Sequence, residues 1–272
     1  MPAHLPPPRT SWAAVACLLL PLASIPAASA EPDMSRPTTG RSVAHIDLQI
    51  PLDYLIHFPE DYDPDAPPDR RSPLLIFLHG AGERGNDLEK LKKWGPPKLV
   101  EQGTLPPQLR QAVIVSPQCP PDRWWPSEFM IAALDQMFDD LLTAHTIDPD
   151  RVYLTGVSMG GFGTWAWAAH HPDRFAAIAP ICGGGNFLAA RRIAAAKLPF
   201  WAFHGDQDPI VPLAESLHTV QLIHQQNHTG HHARFTVLPN TQHNSWTPAY
   251  ANPELWTWLF SHTRSTPTAP AD

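Results

Sequence analysis

Gly156-Val157-Ser158-Met159-Gly160 separates a short apolar run, Val152–Thr155, from a longer apolar stretch that begins at Met159. The run has the length and composition of a strand buried on both faces. Met159–His171 is apolar nearly all round, as a helix packed against a sheet must be. A serine held in so sharp a strand-to-helix turn takes strained backbone angles, and glycines two residues to either side let strand and helix approach. The turn lifts the Ser158 hydroxyl above the sheet. It also leaves the Met159 N–H at the start of the helix, where a developing oxyanion would need a donor.

Outward from this turn the chain alternates the same two patterns. Leu74–Leu78, Ala112–Val115, Ala176–Ile181, Phe200–Phe203 and Phe235–Leu238 read as further strands, preceded by extended segments at Ile46–Ile50 and Leu52–Phe58. Helices are expected over Glu128–His145, Leu213–His228 and Pro253–Arg264, the last with Asn252 as N-cap and Pro253 in its first turn. Strands alternating with helices predict an α/β fold, with a mostly parallel central sheet covered by helices on both faces. About 17 residues separate Cys182 from Phe200, too few for the helical cap that many enzymes of this layout carry there. The expectation is one uncapped domain over residues 43–264, between a flexible segment 31–42 and a flexible tail 265–272.

A serine hydroxyl is a weak nucleophile at neutral pH and needs a base, itself oriented by a carboxylate. Strand Phe200–Phe203 runs into His204-Gly205-Asp206-Gln207-Asp208-Pro209, and strand Phe235–Leu238 into Pro239-Asn240-Thr241-Gln242-His243. An acid and a histidine therefore follow the serine in order, each at a later strand end. His243 is selected over His218, His224, His228, His231 and His232 because only it follows a strand at this edge. Spacing alone leaves Asp206 and Asp208 both open as the acid. After strand Leu74–Leu78, His79-Gly80-Ala81-Gly82 offers a second main-chain donor, expected at Ala81, beside that of Met159.

Other features are weighed the same way. Trp124 and Trp125, in a loop at the catalytic edge, either wall an acyl pocket or pack. Arg84 either meets a charged substrate or pairs with Glu83, the pair being favoured. The tract His224, His228, His231, His232 lacks a neighbouring Cys or acid and reads as a solvated helix end, so no metal site is expected.

Composition bounds the class. Of 272 residues 33 are proline, only 17% are charged and the net charge is −7, which excludes a coiled coil and a basic nucleic-acid binder. Most prolines fall at strand entrances, first helical turns and edge loops, and so punctuate one domain. Arg9, the apolar run Trp12–Ile25 and Ala28-Ser29-Ala30 have the layout of a secretory signal cut before Glu31. The run is too short, at about 14 residues, to span a bilayer. A secreted or periplasmic protein without a membrane anchor is expected. Cys119 and Cys182 would remain there, either paired or as separate buried thiols.

His79-Gly80-Ala81-Gly82-Glu83-Arg84-Gly85, Gly156-Val157-Ser158-Met159-Gly160-Gly161, His204-Gly205-Asp206-Gln207-Asp208-Pro209-Ile210-Val211-Pro212 and His243-Asn244-Ser245-Trp246 together resemble the α/β-hydrolase superfamily. The nearest branch is that of small secreted phospholipase/carboxylesterase and dienelactone-hydrolase-like proteins, related to prolyl oligopeptidases. The resemblance covers roughly residues 50–262. It implies that the acid is Asp208, directly before Pro-x-Val-Pro, and that Ala81 and Met159 supply the oxyanion donors. Asn240-Thr241-Gln242 departs from the glycines common before the histidine in relatives.

The implied activity is hydrolysis of small or chain-end carboxylic esters (short acyl, aryl or sugar-linked) through an acyl-enzyme, with neither metal nor organic cofactor. A peptidase using the same triad is the alternative. A catalytically silent binding protein on this scaffold is a further one, opposed by the complete triad.

Overall fold

The computed structural model describes residues 13–14, 49–226, 229 and 232–264. Its strands are β1 (Ala13–Ala14), β2 (Tyr54–His57), β3 (Ser72–Leu78), β4 (Val113–Pro117), β5 (Ile147–Val157), β6 (Ala177–Ile181), β7 (Phe200–Gly205) and β8 (Ala233–Leu238). They form one sheet in the order β1-β2-β4-β3-β5-β6-β7-β8. The pairs from β4 through β3, β5, β6 and β7 to β8 are parallel, while β2 runs antiparallel to β4 and to the two-residue β1.

The helices are α1 (Gly95–Glu101), α2 (Glu128–Ala144), α3 (Met159–His170), α4 (Phe187–Ala196), α5 (Leu213–His224), α6 (Trp246–Ala251) and α7 (Pro253–Phe260). Side-chain alternation along β3 divides the interior between them. Leu74, Ile76 and Leu78 join a core with Met130 of α2, Trp165 and Trp167 of α3 and Ile193 of α4. Leu75 and Phe77 point the other way, into a core with Val100 of α1, Tyr250 of α6 and Trp256 of α7. Burial on both faces explains why β3 reads as an unbroken apolar run. Each of its Leu, Ile and Phe side chains contributes on the order of 2 kcal/mol relative to exposure.

Several expectations need correction. Of the segment expected as a strand at Ile46–Ile50, residues 46–48 lie outside the described residues and Ile50 is irregular. Helix α5 stops at His224 and α7 at Phe260, short of the expected ends. Helices α1, α4 and α6 were not expected. Trp94-Gly95-Pro96-Pro97 looks like loop, but its prolines occupy the first helical turn, where no intrahelical N–H is needed. Among the described residues no helix is long and apolar enough to cross a membrane. The signal-like region and the tail after Arg264 lie outside the described residues, except for β1.

Candidate active site

The parallel strands deliver their following loops to one edge of the sheet. β5 ends at Val157 and α3 starts at Met159, so Ser158 alone makes the turn, with φ 55° and ψ −114°. The neighbouring glycines are required by backbone contact. A Cβ on Gly160 would lie 1.9 Å from the Leu78 carbonyl oxygen, and one on Gly156 2.3 Å from that of Gly160.

His243 Nε2 lies 2.9 Å from Ser158 Oγ, and His243 Nδ1 lies 2.7 Å from Asp208 Oδ2. Asp208 is completely buried while the His243 side chain keeps 20% of its surface open to solvent. The other carboxylate oxygen, Oδ1, accepts the backbone N–H groups of Ile210 and Val211, both at 2.9 Å. Burial pushes the Asp208 pKa up, but the bond from His243 and these two N–H groups outweigh it and hold the carboxyl below its usual value. Asp206, the other candidate acid, turns away from His243. Its Oδ1 accepts the Thr241 N–H at 3.1 Å, so that it braces the histidine loop. A Cβ on Gly205 would come within 2.2 Å of the Thr241 carbonyl oxygen, so the acid and histidine loops touch backbone to backbone.

The loop after β3 lies against Ser158, with Gly80 packed 3.8 Å (from its would-be Cβ) from Ser158 Cβ. Ala81 opens a short 3-10 turn, Ala81–Glu83, and Met159 opens α3. First-turn N–H groups have no partner within their own helix, so both N–H groups are left without an intrahelical acceptor. His79 fixes this loop: Nδ1–H donates to the Gly80 carbonyl at 2.6 Å, and Nε2 accepts the Cys119 N–H at 2.9 Å. Burial pushes its pKa down to about 4, which leaves the ring neutral with the proton on Nδ1.

Trp124 and Trp125, read as either pocket wall or packing, separate. Trp125 is fully buried and donates its indole N–H to the His79 carbonyl at 3.1 Å, so it supports the loop after β3 from within. Trp124 is 43% exposed and leans on Phe162 of α3, with ring centroids 5.7 Å apart. The favoured Glu83–Arg84 ion pair is absent among the described residues. Arg84 instead donates to the carbonyls of Ala81 and Arg123, and Glu83 is buried, which raises its pKa.

Sequence reading missed the wall beside the histidine. Trp246 meets the His243 ring edge to face at 5.4 Å and Trp94 at 5.6 Å. Both line an apolar cavity of about 170 Å³ with Leu99 and Tyr250. Lys93 and Lys98 each place Nζ 5.3 Å from the Trp94 ring. The signal was visible in Trp94 and Trp246, but only the unexpected helices α1 and α6 bring them together. Cys119 and Cys182 are free and buried, with burial pushing both thiols up to about 12. In the histidine tract, His228 and His231 lie outside the described residues, and His224 approaches the Ala233 carbonyl at 3.2 Å.

Comparison with known proteins agrees with this architecture. The family described as "alpha/beta hydrolase fold" matches residues 73–202. A solved "thermostable esterase" is 32% identical, with a TM-score of 0.65 over 79% of this chain and 60% of that one. A putative esterase, NocK, of Nocardia uniformis subsp. tsuyamanensis is 30% identical over 155 residues, 55% of this chain and 44% of the relative. Poly(3-hydroxyalkanoate) depolymerase C of Paucimonas lemoignei is 52% identical over 52 residues, 19% of this chain and 13% of the relative. The chain thus spans less than half the length of these two curated relatives. The chain has the α/β-hydrolase fold and is similar to esterases of that fold.

Proposed function

We propose that the chain is a secreted serine carboxylesterase, with Ser158 as nucleophile, His243 as general base and acid, and Asp208 as the orienting carboxylate. The observation that carries this reading is the unbroken hydrogen-bond series Ser158 Oγ, His243 Nε2, His243 Nδ1, Asp208 Oδ2 at a positive-φ turn.

In the acylation step Ser158 Oγ bonds to the ester carbonyl carbon as His243 Nε2 takes its proton. The tetrahedral oxyanion is held by the Ala81 and Met159 N–H groups. The C–O bond to the alcohol then breaks, with the electron pair leaving on oxygen and His243 returning the proton to it. Water repeats the sequence at the acyl carbon, regenerating Ser158 and releasing the acid. Asp208 stays ionised throughout, as its buried but fully donated carboxylate favours.

Small, chain-end or aryl esters suit the site better than long lipid chains. Among the described residues no cap closes over the edge, and a cavity of about 170 Å³ lies beyond the histidine. Apolar cavities of roughly 150 Å³ take a single benzene-sized ring. The signal-like layout of residues 1–30 supports export, and cleavage before Glu31 would also remove β1 from the edge of β2.

The deciding experiment compares p-nitrophenyl acetate and butyrate, feruloyl esters and aminoacyl p-nitroanilides, each with wild type and Ser158→Ala. Ester turnover lost in the variant is the expected result. Turnover of anilides alone would make the protein a peptidase, and no turnover by folded wild type would leave a binding protein.

A further inference from the structure

His204, at the end of β7, is fully buried and belongs to none of the roles above. Its Nε2 lies 2.8 Å from the Val211 carbonyl oxygen and 3.3 Å from Asp208 Oδ2, the oxygen that also receives His243. A carbonyl and a carboxylate only accept, so Nε2 carries a hydrogen. On the other side, Ser216 Oγ lies 2.7 Å from Nδ1 and 2.7 Å from the Gly183 carbonyl oxygen, and its one hydrogen goes to Nδ1 when the ring is neutral and to Gly183 when the ring is charged. Burial pushes the imidazole pKa down, against the contacts with Val211 and Asp208. The Nε2–H is present in the neutral ring with this tautomer and in the charged ring alike.

Four groups surround the Asp208 carboxylate: Ile210 N and Val211 N donate to Oδ1, His243 Nδ1 lies 2.7 Å from Oδ2, and His204 Nε2–H, bonded to the Val211 carbonyl, stands 3.3 Å from Oδ2. Three of them come from loops. His204 alone comes from a sheet strand, and it is held at its far side by Ser216 of α5. We propose that His204 is a positioning residue for the triad acid, and that by sharing Oδ2 it fixes the carboxylate's orientation and moderates its charge toward His243. This rests on the triad assignment above.

The physical consequence is directional. With His204 gone, Oδ2 keeps only His243, more negative charge faces that ring, and its protonated form is favoured. The groups facing His243 are Asp208, the Ser158 hydroxyl, the Cys182 thiol, within 4.8 Å of both the Asp208 and His243 polar atoms, and the Trp246 ring edge to face. Tyr250 is bonded to Thr155. Of these, only Asp208 lies in polar contact with His204.

The test is an NMR titration of the His243 ring in histidine-labelled full-length protein, alongside kcat/KM against pH for p-nitrophenyl acetate. His204→Leu fills the volume without a donor, His204→Gln keeps a donor at the Nε2 position, and Ser216→Ala loosens the clamp. His204→Leu is expected to raise the His243 midpoint by about half a unit to one unit. The acid limb of kcat/KM should follow, with kcat at pH 7 falling about tenfold and KM little changed. Ser216→Ala should give a smaller shift of the same sign and His204→Gln the smallest. A His243 midpoint unmoved in His204→Leu would overturn the proposal. Should that variant not fold, an unmoved midpoint in Ser216→Ala would do the same. The titration needs no substrate, so a wild type inactive on esters would sink the esterase reading and leave the proposal to be decided by the midpoints.

Discussion

Asp206 and Asp208 stand two residues apart on one loop and serve different partners: Asp206 takes the Thr241 backbone N–H, and Asp208 takes the His243 ring. The first holds the histidine loop, the second the histidine.

That division separates two variants. Asp208→Asn should lower kcat by about 10⁴-fold, because an amide cannot favour the correct imidazole tautomer or its charged form. Asp206→Ala removes one backbone acceptor at a loop and should cost activity roughly tenfold, with a lowered melting temperature. Steady-state kinetics and thermal unfolding of the pair distinguish them.

The serine turn gives a steric prediction. Gly160→Ala would force a methyl group to within 1.9 Å of the Leu78 carbonyl oxygen, backbone that no side-chain rotation can move. More than about 3 kcal/mol of stability should be lost. Gly82→Ala, whose Cβ would meet nothing within 4 Å, should fold normally and serves as the control in denaturant titrations.

His79 makes stability pH-dependent. Its pKa falls from 6.5 to about 4 in the folded protein, so the unfolded chain binds more protons between those values. Stability should therefore fall as the pH drops from 6.5 toward 4, by at most roughly 3 kcal/mol from this group. Denaturant unfolding at pH 7 and pH 4.5 measures the slope, and His79→Asn should flatten it.

The free cysteines should be inert in the folded state. Burial and pKa values pushed up to about 12 leave almost no thiolate at Cys119 or Cys182 at neutral pH. A thiol reagent in excess should label neither until denaturant is added, and rapid labelling of native protein would contradict the packing.

Much of this site could be read from the chain because its chemistry sits at strand ends, which apolar runs and glycines mark. That an acid and then a histidine follow Ser158 is read from where strands stop, whereas the choice of Asp208 over Asp206 is what the family resemblance implies. What escaped reading depended on tertiary placement. Trp125 and Trp124 are adjacent in sequence, yet one is buried under His79 and the other stands at the surface. Helix α1 was hidden by its prolines, and with it the meeting of Trp94 and Trp246. His204 was quoted as a strand end, but its approach to Asp208 needs a fold to be seen.

The histidine is carried by the loop after β8, which pairs with β7 alone and is the outermost strand on its side. Most of its side chains are only half covered, and Val237 is 43% exposed. Strand edges with little buried apolar surface open at lower free energy than the central strands. Mild heat or denaturant should therefore switch the protein off by releasing His243 while β3 and β5 remain protected from hydrogen exchange. Inactivation and unfolding would then be two separate events, and the first would be reversible.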